Sequence, residues 1–411
     1  MRRFATLASL ALVSSILAAC GGQSGGSMPA QPQIETPTQS QPAPQQQSSV
    51  GTTAQPDSTE PHARLNAYYY VPKPPNINYG DIDTAQFAAT TLPFYTRKVT
   101  SPLNGKTYTL HVVGKNPATS TATTDVKYVP IVVKWKFGTT TVDPTKPGCG
   151  DTVSVENRFF KGPSFNAVPL TSNGVSVGPA QINDGFQRAE FWSHVNGDGY
   201  HTMLVATKTT PIVLTETATG TEEEAGDCAG KAHALWGIDI NTFDSIIQSI
   251  VNKYATPTEV PLVLSYNIVE TESGGCCVIG YHNAYVRTTG TQTYAIGAYT
   301  DPGLFTASGI ADIHAWTHEI GELFNDPFVQ SNSTVNLVPA WGHVGQQSAC
   351  QDNLEVGDPL TGTAFTVTYN GFTYHPQELV FFDWFLRTPS EGTGGVYSFE
   401  GTFTTVQGKC S

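Results

Sequence analysis

The chain has 411 residues, of which 39% are hydrophobic and only 13% are charged. This length is sufficient for a large hydrophobic core and for more than one subdomain. The formal net charge of −13 argues against a nucleic-acid partner and against tight contact with an anionic membrane surface.

The N-terminus has the pattern of a secretory signal. Two arginines follow the first residue, an apolar run covers 4–17, and two alanines precede Cys20. A basic start, an apolar stretch and small residues before a cut are the parts of a signal peptide. The Leu-Ala-Ala-Cys sequence at 17–20 resembles the lipobox of bacterial lipoproteins, which implies a signal peptide over 1–19 and a lipid on Cys20. The alternative is a soluble secreted protein in which Cys20 is incidental.

A lipid on Cys20 would anchor the protein to a membrane without crossing it. No other segment of the sequence is long and apolar enough to span a bilayer. We therefore expect a location in the bacterial cell envelope, outside the cytoplasm, and in the outer membrane if the host is Gram-negative. Residues 20–63 are rich in Gln, Pro and Ser. They are predicted to form a disordered tether, because they cannot bury enough apolar surface to fold.

The remaining chain is predicted to be α+β, with a β-rich region over 64–230 and a second domain over 231–411. In the first region, alternating or β-branched segments predict strands, and helical spacing of apolar residues predicts one helix. The predicted strands are Lys106–Val113, Tyr128–Phe137 as a central strand, Thr152–Phe160 and His201–Leu214, and the predicted helix is Ala180–Val195.

The second domain shows a clearer order of elements. An amphipathic helix is predicted over Asn241–Tyr254, a strand over the apolar run Pro261–Val269, and a short strand over Tyr294–Tyr299. A cluster of aromatic residues at helical spacing is predicted to be core rather than a carbohydrate-binding platform; it comprises Phe381, Phe382, Trp384 and Phe385.

Six cysteines follow Cys20, and an even number in an exported chain predicts disulfides. Six cysteines allow 15 pairings, among which the sequence does not choose. The spacing contains no Cys-x-x-Cys pair, so a zinc site built from thiolates is not expected.

His318, Glu319 and Glu322 form the most informative motif of the chain, in a predicted amphipathic helix over 311–325. Residues four apart lie on one face of a helix. His318 and Glu322 could therefore hold a metal ion, and Glu319 could activate a water bound to it. The pattern is the His-Glu-x-x-His motif of zinc proteases with Glu322 in place of the second histidine. The alternative is a surface helix whose acids face solvent and whose His318 packs in the core.

A site of this kind needs a third protein ligand downstream. The candidates after residue 336 are His343, Asp352, Glu355, Asp358 and His375. Glu355 and Asp358 stand out because they lie three residues apart beside a glycine, in a segment that could form a tight turn. Two other histidines have open roles: His314 could be a fourth ligand or orient the site, and His282 could contact the transition state or simply pack.

These motifs resemble those of known families. The pattern His318-Glu319-x-x-Glu322, followed by Asp326-Pro327, Trp341 and Glu355-Val-Gly-Asp358, resembles secreted bacterial proteins described as zincin-like metallopeptidases. Residues 357–374 are similar to the C-terminal part of the plant phosphate-induced protein 1 (EXORDIUM) family. The order of helix, strand, strand and motif helix also resembles the core of the zincins, in which a twisted sheet lies over the metal-motif helix and its edge strand aligns the substrate. This resemblance implies that the strand near Tyr294–Tyr299 is the edge strand.

The resemblance also implies metal ligation by His318 and Glu322, completed by Glu355 or Asp358, with Glu319 as the general base. Zn²⁺ is the expected ion, with Mn²⁺ or Ca²⁺ as alternatives because two carboxylates make a harder ligand set. We therefore expect a membrane-anchored zinc-dependent peptidase that acts on a peptide or protein substrate. One alternative is a non-catalytic cell-surface lipoprotein that binds cell-wall polymer or a protein partner, with a structural metal site or none. Another is a structural Ca²⁺ site built from the same acids.

Overall fold

A computed structural model describes residues 92–197, 199–228, 231–272, 275–287, 289–305, 309–328, 337–342, 350–406 and 410. The predicted signal peptide, Cys20, the tether and the candidate ligand His343 lie outside the described residues. The described chain is mixed α+β and consists mostly of strands, with few helices. None of the helices in these ranges is long and apolar enough to cross a membrane.

The strands in chain order are β1 (Phe94–Thr100), β2 (Thr107–Val113), β3 (Thr124–Phe137), β4 (Thr140–Val142), β5 (Val168–Ser172), β6 (Val175–Ala180), β7 (Thr202–Ala206), β8 (Ile212–Thr217), β9 (Thr221–Cys228), β10 (Lys231–Asp239), β11 (Val260–Tyr266), β12 (Ile268–Glu272), β13 (Gly275–Val278), β14 (Gly280–Arg287), β15 (Gly290–Tyr299), β16 (Leu337–Gly342), β17 (Cys350–Asn353), β18 (Val367–Tyr369) and β19 (Phe372–Tyr374). The α-helices are α1 (Val155–Phe160), α2 (Ile182–Glu190), α3 (Trp192–Val195), α4 (Ile240–Tyr254), α5 (His314–Asn325) and α6 (Phe382–Leu386).

A seven-stranded sheet forms the centre of the fold, in the order β14-β15-β11-β3-β4, with β7 and β8 also paired to β3. Strand β3 pairs in parallel with β7, β8 and β11, and β11 pairs in parallel with β15. Parallel strands are buried on both faces, which explains why β11 is apolar and buried along its whole length. The sheet therefore combines strands from the predicted β-rich region before residue 230 with strands from the predicted second domain after it.

Helices pack against both faces of this sheet. On one face, Tyr128 and Val132 of β3 belong to a core cluster with Trp316 and Ile320 of α5. On the other face, Val129 and the alternate apolar residues that follow it in β3 belong to a core cluster with residues of α4. Successive side chains of a strand point to opposite faces, so the alternation within β3 directs its side chains to both helices. The long central strand predicted at Tyr128–Phe137 is thereby confirmed, as is the α4 helix.

A third core cluster lies between α2 and the C-terminal segment. It contains the buried aromatic residues of α6, including Trp384 and Phe385, which contact Trp341 at ring-centroid distances of 5.9 Å and 5.1 Å. The prediction that this aromatic cluster is core is confirmed. Cys350 and Cys410 form a disulfide with their Cα atoms 6.0 Å apart, and Cys149 and Cys277 are also disulfide-bonded.

Two predictions of local structure are wrong. Thr152–Phe160 was expected as a strand, but Val155–Phe160 is the helix α1. Asp151 accepts hydrogen bonds from the backbone N–H groups of the next two residues and from Arg158 within α1, and this local network favours a turn followed by a helix.

The second wrong prediction concerns the sheet edge. Tyr294–Tyr299 belongs to β15, which is an interior strand between β11 and β14. The edge is β14, which pairs antiparallel with β15 from Gly280 to Arg287. The difference matters for function because β14 carries His282, whose ring lies beside the carboxylates of the motif helix.

Candidate metal centre

Helix α5 brings His318, Glu319 and Glu322 together and buries all three, with exposed fractions of 8%, 6% and 4%. The helix is buried on every side, because it packs against β14 and β15 on one side and against α2 on another. Its carboxylates therefore do not face solvent, as the alternative reading of a surface helix required. That reading is wrong.

His318 is held in one orientation by Gln377. The Gln377 amide donates from Nε2 to the Gly357 carbonyl over 2.5 Å, so its Oε1 is the atom that faces His318 Nδ1 at 3.0 Å. Because Oε1 can only accept, Nδ1 carries a ring proton, and Nε2 is the nitrogen that a metal would use as its ligand. His318 Nε2 lies 3.0 Å from Glu322 Oε1 and 3.6 Å from Asp358 Oδ1. Nε2 of the imidazole thus faces two carboxylates.

His282 on the edge strand β14 is held in the same manner. Its Nε2 lies 3.1 Å from the carbonyl oxygen of Asp326, an acceptor, so Nε2 carries the proton. Its Nδ1 lies 3.5 Å from Glu319 Oε2 and 3.6 Å from Glu322 Oε2. The ring is only 1% exposed. Sequence reasoning gave His282 no metal role, and no local spacing could have shown it, because strand pairing brings it to the helix.

The predicted turn over 354–359 brings both of its acids to the site. Glu355 and Asp358 line the same solvent-open pocket as the motif residues. Glu355 Oε1 accepts a hydrogen bond of 2.7 Å from Asn353 Nδ2. Gly357, between the two acids, donates its N–H to Glu322 Oε1 over 3.1 Å. The turn therefore fixes the orientation of the motif carboxylate as well as supplying two further carboxylates.

Other histidines and acids of the prediction have separate partners. His314 lines the pocket, but its Nε2 accepts the N–H of Gly362 at 3.2 Å. His375 Nδ1 pairs with Asp312 Oδ2 at 2.6 Å. Asp352 is exposed on β17. Among the candidate third ligands that the structure describes, Glu355 and Asp358 are the two that lie in the pocket with His318.

Burial and close charge pairing shift the pKa values of the site in opposite directions. Burial alone would lower the pKa of His282, but hydrogen bonds and charge from Glu319 and Glu322 raise it to about 10. The pKa of His318 is also raised, since the attraction of Glu322 and Glu319 outweighs burial. Burial raises the pKa of Glu322, but the two imidazoles reverse this and hold it well below its usual range. Burial, with Glu322 and Asp358 close by, raises the pKa of Glu355 well above the ordinary value.

The donors fit a divalent metal ion. Ligands about 2.0–2.1 Å from a tetrahedral zinc ion are separated from one another by roughly 3.3–3.4 Å. The separations of 3.0–3.6 Å between imidazole nitrogens and carboxylate oxygens are close to this value. Two groups of three residues each place their donor atoms within 4.8 Å of one another. The first group is His318, Glu319 and Glu322, and the second is His282, Glu322 and Glu355. The described residues that line the pocket include no Lys or Arg to balance four buried carboxylates.

Comparison of the chain with protein-family models, with curated proteins and with solved structures found no match. The resemblances described for the motifs therefore remain predictions, and the chain's own geometry is the basis for a functional proposal.

Proposed function

We propose that the protein is a metal-dependent peptidase, with zinc as the metal, attached to the outer side of a bacterial membrane through a lipid on Cys20. The observation that carries the proposal is the position of His318 Nε2, which lies 3.0 Å from Glu322 Oε1 while Nδ1 is fixed by Gln377. A histidine whose other nitrogen is fixed by a hydrogen bond is the usual arrangement of a metal ligand.

In this proposal His318 and Glu322 hold the metal with Asp358, whose Oδ1 lies 3.6 Å from the same imidazole nitrogen. When bound, zinc would polarise a carbonyl oxygen and lower the pKa of a coordinated water. Glu319, which lines the same pocket, would be the group that accepts a proton from the attacking water. Burial raises the pKa of Glu319 above its usual value, which suits a group that accepts a proton and later returns it to the leaving nitrogen.

The edge strand β14 offers a place for an extended peptide. Residues 277–282, which end β13 and begin β14, line the pocket beside Glu319. An exposed strand edge can bind a peptide as an additional strand through main-chain hydrogen bonds. The position of this strand beside α5 supports the proposal of a peptide or protein substrate.

The alternative, a cell-surface lipoprotein with a structural metal, has one observation in its favour. Two histidines and four carboxylates converge on the pocket, which is more than the three protein ligands of an open catalytic zinc site. If all six donors closed around one ion, no position would be left for substrate. A second metal ion would also account for this surplus of donors.

The test is hydrolysis by wild type and by Glu319→Gln, purified as the full chain in detergent and supplied with zinc. A denatured protein and a mixed peptide pool serve as substrates, and new amino termini are counted. We expect a loss of about 10²–10⁴-fold in Glu319→Gln. Glu222→Gln makes the same chemical change at an exposed position and should retain full activity. Equal hydrolysis by wild type and Glu319→Gln would contradict the proposal.

A further inference from the structure

The two oxygens of Glu322 face two different histidines. Oε1 lies 3.0 Å from His318 Nε2, and Oε2 lies 3.6 Å from His282 Nδ1. His318 comes from the same helix, whereas His282 comes from the edge strand β14. Glu322 therefore stands between two imidazoles that approach it from separate elements of the fold.

Both imidazoles turn the nitrogen that could bind a metal toward these carboxylates. Gln377 fixes the proton of His318 on Nδ1, and the Asp326 carbonyl fixes the proton of His282 on Nε2. In the neutral rings, the remaining nitrogen is an acceptor. An acceptor at 3.0–3.6 Å from a carboxylate oxygen is stable only if a cation or a proton lies between them. The same requirement holds at each oxygen of Glu322.

Each histidine also has its own carboxylate besides Glu322. Asp358 Oδ1 lies 3.6 Å from His318 Nε2, and Glu355 forms a three-donor group with His282 and Glu322. The donor set divides into two halves that share Glu322. Two histidines and four carboxylates are also the set that holds metal pairs in carboxylate-bridged helical bundles.

The formal charges agree with this division. Glu319, Glu322, Glu355 and Asp358 together carry a formal charge of −4 when ionised, and the two imidazoles are neutral as ligands. One divalent ion would leave half of this charge buried and unbalanced, which is costly in a protein interior. Two divalent ions would balance it.

We propose that the site binds two divalent metal ions, with Glu322 as the carboxylate that bridges them. The first ion is held by His318 and Asp358 and is the one on which the proposed peptidase function rests. The second is held by His282 and Glu355. Glu319 lies beside both halves, with Oε2 at 3.5 Å from His282 Nδ1. The second ion accounts for the donors that a single catalytic zinc would leave unused.

Metal stoichiometry tests the proposal. The full chain, purified in detergent, is loaded with excess Zn²⁺, freed of unbound metal and assayed by elemental analysis. We expect two zinc ions per chain in wild type, one in His282→Gln, one in Glu355→Gln and one in His318→Gln. Because it removes the bridge, Glu322→Gln should retain fewer than one. His194→Gln, at an exposed histidine that does not line the pocket, should retain two.

A second measurement uses wild type alone, so that it does not depend on the folding of any variant. Two Mn²⁺ ions that share a carboxylate are magnetically coupled, whereas a single Mn²⁺ gives an isolated six-line electron paramagnetic resonance spectrum. We expect the coupled spectrum in Mn²⁺-loaded wild type, and the isolated spectrum in His282→Gln.

The possible failures are distinguishable. One zinc ion in wild type, an unchanged content in His282→Gln and an isolated Mn²⁺ spectrum would overturn the two-metal site and leave the peptidase proposal standing. No bound metal in wild type would overturn both. Two ions of which neither is lost in His282→Gln or Glu355→Gln would place the second ion elsewhere, and would also overturn the inference.

Discussion

Gly357 lies against the face of His318, where a Cβ atom at position 357 would come within 2.6 Å of the imidazole ring. The backbone at Gly357 has a φ of −88°, which any residue can adopt. The glycine is therefore required by the close approach of the ring and not by its conformational freedom. It allows the turn that carries Glu355 and Asp358 to approach the helix.

The substitution Gly357→Ala should weaken metal binding. The added methyl group would push His318 out of its position, because Gln377 prevents the ring from simply rotating away. We expect zinc affinity to fall by about 10-fold or more, as for other changes that misplace a ligand. Isothermal titration with Zn²⁺ measures the effect. Gly199→Ala, whose Cβ would make only an ordinary contact of 3.4 Å, is the control; equal affinities of the two variants would refute the steric role.

Gln377 should control the affinity of the site through His318. Gln377→Leu removes the acceptor that fixes the proton on Nδ1, so the ring can turn or change its tautomer. Loss of such a partner typically lowers metal affinity about 10–100-fold. Gln377→Glu keeps an acceptor at this position and should retain more of the affinity than the leucine variant. A leucine variant that binds zinc like wild type would show that the hydrogen bond has no role.

Removal of metal should destabilise the protein. Without cations, the carboxylates of the pocket repel one another in a buried setting, and a metal that binds only the folded chain stabilises it. Zinc at a free concentration 100-fold above its dissociation constant adds about 2.7 kcal/mol per site. We expect a chelator to lower the melting temperature of wild type and to have little effect on Glu322→Gln. A melting temperature that does not respond to zinc or chelator would contradict a metal site.

His111, which does not line the candidate site, should make stability depend on pH. Its ring is 4% exposed and packs between Phe94 and Phe328, and burial lowers the pKa of His111 from 6.5 to about 4. Above pH 6.5 both folded and unfolded states are neutral at this group. Below pH 6.5 the unfolded chain binds a proton at this group that the folded chain does not. The free energy of unfolding therefore decreases as the pH is lowered from 6.5 to about 4.

The size of this effect can be measured by urea unfolding at pH 7 and pH 5. From the two pKa values, the group should reduce the free energy of unfolding by about 2 kcal/mol at pH 5. His111→Phe keeps an aromatic ring and removes the titration, so its stability should change less between the two pH values. An equal change in wild type and variant would show that His111 is not responsible.

Local sequence patterns were sufficient to predict the secondary-structure elements that carry the motif. The helix α5 follows from apolar residues at three-to-four spacing, and the i, i+4 relation places His318 and Glu322 on one face whatever the rest of the fold does. The turn with Glu355 and Asp358 was also recognised, because acids beside a glycine form a local signal. Helix α4, the central strand β3 and the aromatic core near α6 followed from hydrophobic periodicity alone.

Long-range contacts decided the rest of the site. His282 reaches Glu322 only because β14 forms the sheet edge, and the register between β14 and β15 is set by strand pairing. Gln377 contacts His318 from 59 residues away along the chain, and no sequence motif predicts this contact. Residues near in sequence constrain one another through the backbone, so the metal-motif helix could be read directly. Partners brought together by sheet pairing and core packing share no local signal, so the second histidine and the groups that orient both imidazoles emerged only from the folded chain.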